Sequence, residues 1–305
     1  MVSLLSVPEP FKNGAAAGIS VGCTVALFNQ IDTLKIRWQV YSGKDTLAGL
    51  LRTVLREEGY WKGLHRSGLI CNSCSMGSAS AIRMGLYPWF REQAVRLSGA
   101  EEKNAAHMFL AGLLPGGIGY FFASPLYQAK NRIQAENGLL CRETGILLTG
   151  ARKGQPPQYH GVVHCLRCII QEKALFRGAS AMVGRGAALT AGQMLGYDGL
   201  KTYSLRHDLA AEGPALHVVA SLSSAFFAAA CCMPFDQVLV RYQTLRDKHS
   251  SGISNCVRSL WREEGVRGFY RGWLPLFSRF GIIFCIYMPA YEQLRARVFS
   301  IGYFK

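Results

Sequence analysis

The sequence predicts an all-α membrane protein of six transmembrane helices, built as three repeats of about a hundred residues. Three observations lead there. A ten-residue motif occurs three times, as Gln30-Ile-Asp32-Thr-Leu-Lys35-Ile-Arg37-Trp-Gln39, Pro125-Leu-Tyr127-Gln-Ala-Lys130-Asn-Arg132-Ile-Gln134 and Pro234-Phe-Asp236-Gln-Val-Leu239-Val-Arg241-Tyr-Gln243. The copies start 95 and 109 residues apart, too long a period for a solenoid repeat of roughly 20–50 residues but suited to a repeated membrane module. Half of the residues are hydrophobic and only 17% are charged, against about 25% in a soluble domain.

The repeats divide the chain into 1–98, 99–205 and 206–305. Each opens on a stretch without formal charge, Asn13–Ile31, His107–Ala129 and Ala215–Phe235, about the 20 residues that cross a bilayer. Small residues four apart (Gly14, Gly18 and Gly22; Gly112 and Gly116; Ala220, Ser224 and Ala228) would let helices approach closely in lipid. The motif ends each of these spans. Pro125 and Pro234 remove a backbone donor and bend the helix, whereas Gln30 predicts a weaker or differently supported bend.

A short amphipathic helix follows, opened at Gly43, Gly161 and Gly252 and closed in the first and third repeats by Glu58-Gly59 and Glu264-Gly265. An aromatic–basic–glycine step then enters the second span, as Phe176-Arg177-Gly178 and Tyr270-Arg271-Gly272. In the first repeat Trp61-Lys62-Gly63 has the right residues and Arg66 the better register. The second spans, Ser67–Phe90, Gly178–Tyr197 and Gly272–Tyr291, each carry one arginine: Arg83, Arg185 and Arg279. An arginine at membrane depth is costly and should face a polar cavity rather than lipid. These spans end in Tyr87-Pro88-x-x-Arg91, Tyr197-Asp198-x-x-Lys201 and Tyr291-Glu292-x-x-Arg295. The second repeat has an insertion, roughly Glu136 to Gln158, whose Gly, Pro and polar residues read as a loop.

The net charge of +15 is spread singly over repeat positions instead of gathered in basic runs, which argues against nucleic acid and for anionic lipid or an anionic solute. Cys71-Asn-Ser-Cys74 and Cys165-Leu-Arg-Cys168 are too far apart for a zinc ribbon and read as packing cysteines, and the seven histidines show no ligand spacing beyond His160/His164. No metal, cofactor, nucleophile–base set or phosphate loop is therefore expected, and the chain is not read as an enzyme. The N-terminus has neither a secretory signal nor an Arg-rich presequence, so targeting is expected to be internal.

Three registered motifs, glycine-containing connecting segments and Tyr-acid-x-x-basic ends together resemble the mitochondrial carrier family over essentially the whole chain. The resemblance implies threefold pseudosymmetry around a central solute site, connecting helices on the matrix side, alternating access in the inner membrane, and function as a monomer. It also implies cardiolipin at Gly43, Gly161, Gly252, Arg177, Gly178, Arg271 and Gly272. Within that pattern a matrix gate would pair Asp32 with Lys130 and Asp236 with Lys35, braced by Gln39, Gln134 and Gln243. The third pair falls on Tyr127 and Leu239, where both partners are missing together. Losing one partner of a buried pair costs about 3–5 kcal/mol, whereas replacing both with apolar groups can be neutral. A cytosolic gate would pair Asp198 with Arg295 and Glu292 with Arg91, leave Lys201 facing Pro88, and be braced by Tyr87, Tyr197 and Tyr291.

Arg185 and Arg279 each lie 13 residues before their own cytosolic acid and so share one depth; the same count from Pro88 reaches Ser75. Arg83 lies eight residues further along, about 12 Å nearer the cytosolic gate at 1.5 Å per residue. Guanidinium groups so placed suit an elongated anion with separated negative ends. Ser75, Ala79 and Gly186 complete the expected substrate positions. Arg83-Met-Gly-x-Tyr87, Arg279 with Glu292-Gln293, and the Tyr127/Leu239 departure resemble the oxaloacetate, dicarboxylate and oxoglutarate branch. The resemblance thus implies an antiporter of small dicarboxylates or keto-dicarboxylates such as malate, oxaloacetate or oxoglutarate, with sulfate, thiosulfate or phosphate as alternative exchange partners. Another anionic metabolite, an amino acid, or a carrier-like scaffold are the competing readings.

Overall fold

A computed structural model describes residues 8–40, 46–98, 105–141, 143–206, 214–245 and 252–297. Among them lie ten α-helices: α1 Glu9–Leu27, α2 Asn29–Val40, α3 Leu47–Glu57, α4 Leu69–Ser98, α5 Ala105–Glu136, α6 Val162–Gln171, α7 Ala179–Arg206, α8 Pro214–Thr244, α9 Ile253–Phe269 and α10 Trp273–Arg297. No strand occurs among the described residues, only an isolated bridge between Leu140 and Leu147. With α1 and α2 taken as one bent span, six long helices form a closed ring in which α1 packs on α4, α4 on α5, α5 on α7, α7 on α8, α8 on α10 and α10 back on α1.

By length and hydropathy alone, one described segment, Val219–Thr244, passes as a membrane span, and the bent pair α1–α2 passes when its halves are taken together. On the faces that α4 and α7 turn toward the ring interior stand Arg83, Ser80 and Arg185. Small residues seat the helices against one another. A Cβ on Gly14 or Gly18 of α1 would press on the carbonyls of Ala81 or Gly77 in α4. In the second repeat the close approach is made by Gly119 against the Ala79 carbonyl, whereas Gly116 meets only the Arg83 side chain. In the third, Gly192 and Gly196 of α7 supply it against α8.

Pro125 and Pro234 sit inside helices that continue unbroken through them, while the repeat with Gln30 breaks at Phe28 and turns by 68° between α1 and α2. The Gln30 bend is therefore the one that interrupts its helix, and side chains hold it. Asn29 Nδ2 donates to the carbonyls of His65 and Ser67 (2.8 Å to Ser67), and Gln30 Oε1 lies 3.1 Å from His65 Nδ1. The amide side chains at the bend thus tie it to the segment that leads into α4.

The connecting helices α3, α6 and α9 lie at one end of the ring, the end that the resemblance assigns to the matrix. Each buries two residues four apart, Leu50 and Val54, Cys165 and Ile169, Cys256 and Leu260, on the face its period turns inward. Each is tied to the preceding span by the second basic residue of the motif. Arg37 binds Glu58, Arg132 binds Glu172 at 2.8 Å and Arg241 binds Glu264. The residue after that glutamate must turn left-handed: Gly59 has φ 76° and Gly265 φ 61°, but the second repeat places Lys173 there at φ 52°. That lysine is why the closing Glu-Gly signature reads only twice.

Candidate functional site

The groups expected to form a matrix gate do come together, from α2, α5 and α8, with one contribution each from α4, α7 and α10. Its two acids are buried and are served alike. Asp236 accepts from Lys35 Nζ at 2.7 Å and Gln39 Nε2 at 2.9 Å on one oxygen, and from Arg185 Nε at 2.7 Å on the other. Asp32 meets Asn72 Nδ2 at 2.7 Å and Lys130 Nζ at 3.7 Å on one oxygen, and Arg279 Nη1 at 3.0 Å on the other. Each carboxylate therefore holds a motif lysine, an amide and an arginine from a second span. Four buried cations meet two buried carboxylates, a formal excess of two positive charges.

Sequence reasoning missed two parts of this. It assigned Arg185 and Arg279 to a solute and did not foresee their bonds to the gate acids, since residues from different repeats meet only in three dimensions. It also passed over Asn72, which donates to both Asp32 and Asn29. The signal was a lone amide in an apolar span, the polar group that lipid cannot satisfy.

The third gate position is apolar and packed. Tyr127 and Leu239 are both buried, in one cluster with Ala181 and Met182. Tyr127 also takes up some of the missing acid's electrostatic work. Its ring faces Lys130 Nζ at 4.9 Å and the Arg185 guanidinium at 5.9 Å, where the negative face of an aromatic attracts cations.

The three glutamines sit under the left-handed glycines that open the second spans. A Cβ on Gly68 would meet Gln134 Cγ at 2.8 Å, on Gly178 would meet Gln243 Nε2 at 3.5 Å, and on Gly272 would meet Gln39 Cγ at 3.2 Å. With φ of 58°, 82° and 97°, these glycines form one threefold set. The first repeat's step is thereby read at Arg66-Ser-Gly68, not at Trp61-Lys62-Gly63, which lies in a π-helical turn spanning Trp61–His65. Only Gln39 of the three glutamines contacts a gate acid. Gln134 donates to Asn29, Thr33 and the Ser67 carbonyl, and Gln243 donates to the Arg177 carbonyl and accepts from Asn131.

Beyond the gate, away from the connecting helices, lies a cavity of about 360 Å³. Arg83, Arg185 and Arg279 line it together with Tyr120, Ser80, Ser221, Ser224 and Tyr287. Arg185 and Arg279, bonded to the gate acids, mark its gate end. Ser75, Ala79 and Gly186 do not reach this lining. The Ser75 hydroxyl donates to the Asn72 carbonyl at 3.1 Å, the Ala79 carbonyl packs on Gly119, and Gly186 gives room to the Tyr120 ring.

Tyr87 is half-buried, Pro88 exposed, and Tyr291 buried and stacked on Tyr287 at 5.9 Å. The side chains of Arg91, Tyr197, Asp198, Lys201, Glu292 and Arg295 lie outside the described set, as does Gly43. Among the expected lipid positions, Gly161 and Gly252 immediately precede α6 and α9, and Gly178 and Gly272 open α7 and α10. Arg177 stacks on Tyr242 at 4.2 Å and Arg271 on Trp38 at 4.4 Å. No group of three or more His, Cys, Asp or Glu able to hold a metal occurs among the described residues.

A family model described as mitochondrial carrier protein matches the chain three times, at residues 6–97, 101–208 and 211–301. Mitochondrial uncoupling protein 1 of Arabidopsis thaliana is 29% identical over 96% of this chain and 94% of its own length. The brown fat uncoupling protein 1 of Suncus murinus is 26% identical over 92% and 90%, and that of Canis lupus familiaris 26% over 94% and 92%. These relatives carry the name of uncoupling proteins, not of dicarboxylate carriers.

Proposed function

The chain belongs to the mitochondrial carrier family, a transporter of the inner membrane that crosses it several times, and from that premise we propose that its solute is a small dianion, exchanged across the membrane as a dicarboxylate or keto-dicarboxylate. One observation carries the reading: the two buried positive charges in excess at the gate end of the cavity, with Arg83 further up the same wall. Uncompensated buried charge is costly, and a dianion entering the cavity removes it. Guanidinium groups at two levels offer bidentate seats to two separated carboxylates.

The same geometry supplies the coupling. Arg185 and Arg279 hold the gate acids when the cavity is empty, so an anion that draws the guanidiniums toward itself weakens their hold on Asp236 and Asp32. A ligand shifts a conformational equilibrium only through its different affinity for the two states, and this competition provides such a difference. A cytosolic gate at Tyr87, Arg91, Tyr197, Asp198, Lys201, Tyr291, Glu292 and Arg295 would close behind the solute. Cardiolipin would seat at the glycines and arginines flanking α3, α6 and α9, and one chain would suffice, since the cavity lies within one ring.

The test is reconstitution in liposomes, with uptake of labelled malate, oxaloacetate and sulfate measured against each as internal counter-solute. Saturable exchange lost in Arg279→Ala supports the proposal. No anion exchange from folded protein overturns it. The names of the relatives favour one second reading, uncoupling, and proton conductance across the same liposomes without anion exchange would select it.

A further inference from the structure

The insertion in the second repeat is more than a surface loop. Residues 137–141 and 143–150 pair as a hairpin closed by Cys141 N to Ile146 O at 2.9 Å and Leu148 N to Leu139 O at 2.7 Å, with Leu147 buried. Its base is fixed by Glu136, which accepts from the backbone N–H groups of Gln158 at 2.6 Å and Tyr159 at 3.1 Å. Its tip of contact reaches into the first repeat. Thr149 Oγ1 accepts from Leu139 N at 2.8 Å and donates to Glu58 Oε1 at 2.6 Å, and Asn137 Nδ2 donates to the Gly63 carbonyl at 2.8 Å. Glu58 is the carboxylate that Arg37 ties to α2. The insertion also walls a cavity of about 460 Å³ at the matrix ends of α2, α5 and α8, through Ala151, Arg152, Gln155 and Gln158.

We propose that the 137–158 insertion is a latch on the matrix gate, with Thr149 as a positioning residue that holds the first repeat to the second. The same two repeats meet at Asp32 and Lys130, the longest of the four ion pairs at the gate acids, at 3.7 Å. When that pair opens, α2, with α3 tied to it through Arg37 and Glu58, moves away from α5, which carries the insertion on its C-terminal end. Thr149 then has to release Glu58 and Asn137 the Gly63 carbonyl. The latch therefore adds to the closed state without touching the solute. Its removal leaves Glu58 satisfied by Arg37, so the variants should fold.

The inference is independent of which solute is carried, and its test uses none. Leu239→Cys, buried under the closed gate, serves as reporter in lipid nanodiscs, with labelling by a polar maleimide read above that of the protein lacking the substitution. Thr149→Val and Asn137→Ala should each raise the labelling rate of the reporter, together by about tenfold, equivalent to about 1.4 kcal/mol. Thr149→Ser should return the parent rate, because it keeps the hydroxyl. Arg152→Gln alters an insertion residue bonded only within the second repeat, to Glu136, Gln155 and Gln158, and should leave the rate unchanged. Equal rates for Thr149→Val, Asn137→Ala and parent overturn the latch. So does an equal rise in Arg152→Gln, which would trace the effect to the loop's own folding.

Discussion

Asp236 holds two cations at once, and that makes the sign of one substitution depend on another. It is fully buried, with Lys35 and Arg185 each 2.7 Å away. Asp236→Asn keeps the shape but strands both cations. Removing one partner of a buried pair costs about 3–5 kcal/mol, and with two cations stranded the loss should lie at the upper end, about 5 kcal/mol. Lys35→Met removes a cation but leaves the carboxylate bonded to Arg185 and Gln39, so it forfeits one charge-assisted bond, about 1.5–3 kcal/mol. Combined with Asp236→Asn, the same Lys35→Met removes a stranded charge and should restore about 1–2 kcal/mol. Lys35→Met is thus destabilising alone and stabilising beside Asp236→Asn. A fluorogenic thiol dye reads unfolding directly, because Cys71, Cys165, Cys232 and Cys256 have no exposure in the folded ring. At about 2 °C per kcal/mol for a chain of this size, Asp236→Asn should lower the melting temperature by about 10 °C. If Lys35→Met lowers it equally in both backgrounds, the three charges are energetically independent and the network reasoning is refuted.

Two further outcomes follow from the connecting helices. Lys173→Gly relieves a positive φ that glycine adopts freely, and should raise stability by about 1 kcal/mol in the same melting assay, whereas Gly265→Ala, at φ 61° and ψ −155°, should lower it by about 1–3 kcal/mol. Burial pushes the thiol of Cys165 up to about 12 and that of Cys256 up to about 11. Both groups should resist maleimide at pH 8 while Cys141, on the insertion outside the spans, labels, as peptide mapping by mass spectrometry would read. Because the folded state keeps these protons that the unfolded chain releases, their contribution to stability is complete below about pH 8.5 and declines as pH rises above it.

The repeats, the helical class and the amphipathic connectors were legible because they depend on spacing along one chain: the recurring motif, the charge-free stretches and buried positions four apart. The first-repeat step was ambiguous because Gly63 and Gly68 are both glycine, and only a positive φ over Gln134 separates them. That the Gln30 bend is supported differently was legible, but the support itself was not, because proline is a local signal, whereas Asn29 reaches carbonyls of residues 36 and 38 positions away. Lys173 hid the third glutamate of its set, because sequence shows the residue and not the φ it is forced to adopt.

By itself the sequence determined which residues are repeated and at what helical depth each charge lies, since both are fixed by covalent order and a rise of about 1.5 Å per residue. The pairing of a lysine of one repeat with an acid of another was what the family resemblance implied once the repeats were registered. The tertiary structure decided what shares a charge with what. That Arg185 and Arg279 turn to the gate acids, that Tyr127 presents its ring to two cations, and that Thr149 reaches Glu58 all depend on closing the helices into a ring. Buried charges take the nearest partner in space, and closure of the ring sets which partner that is.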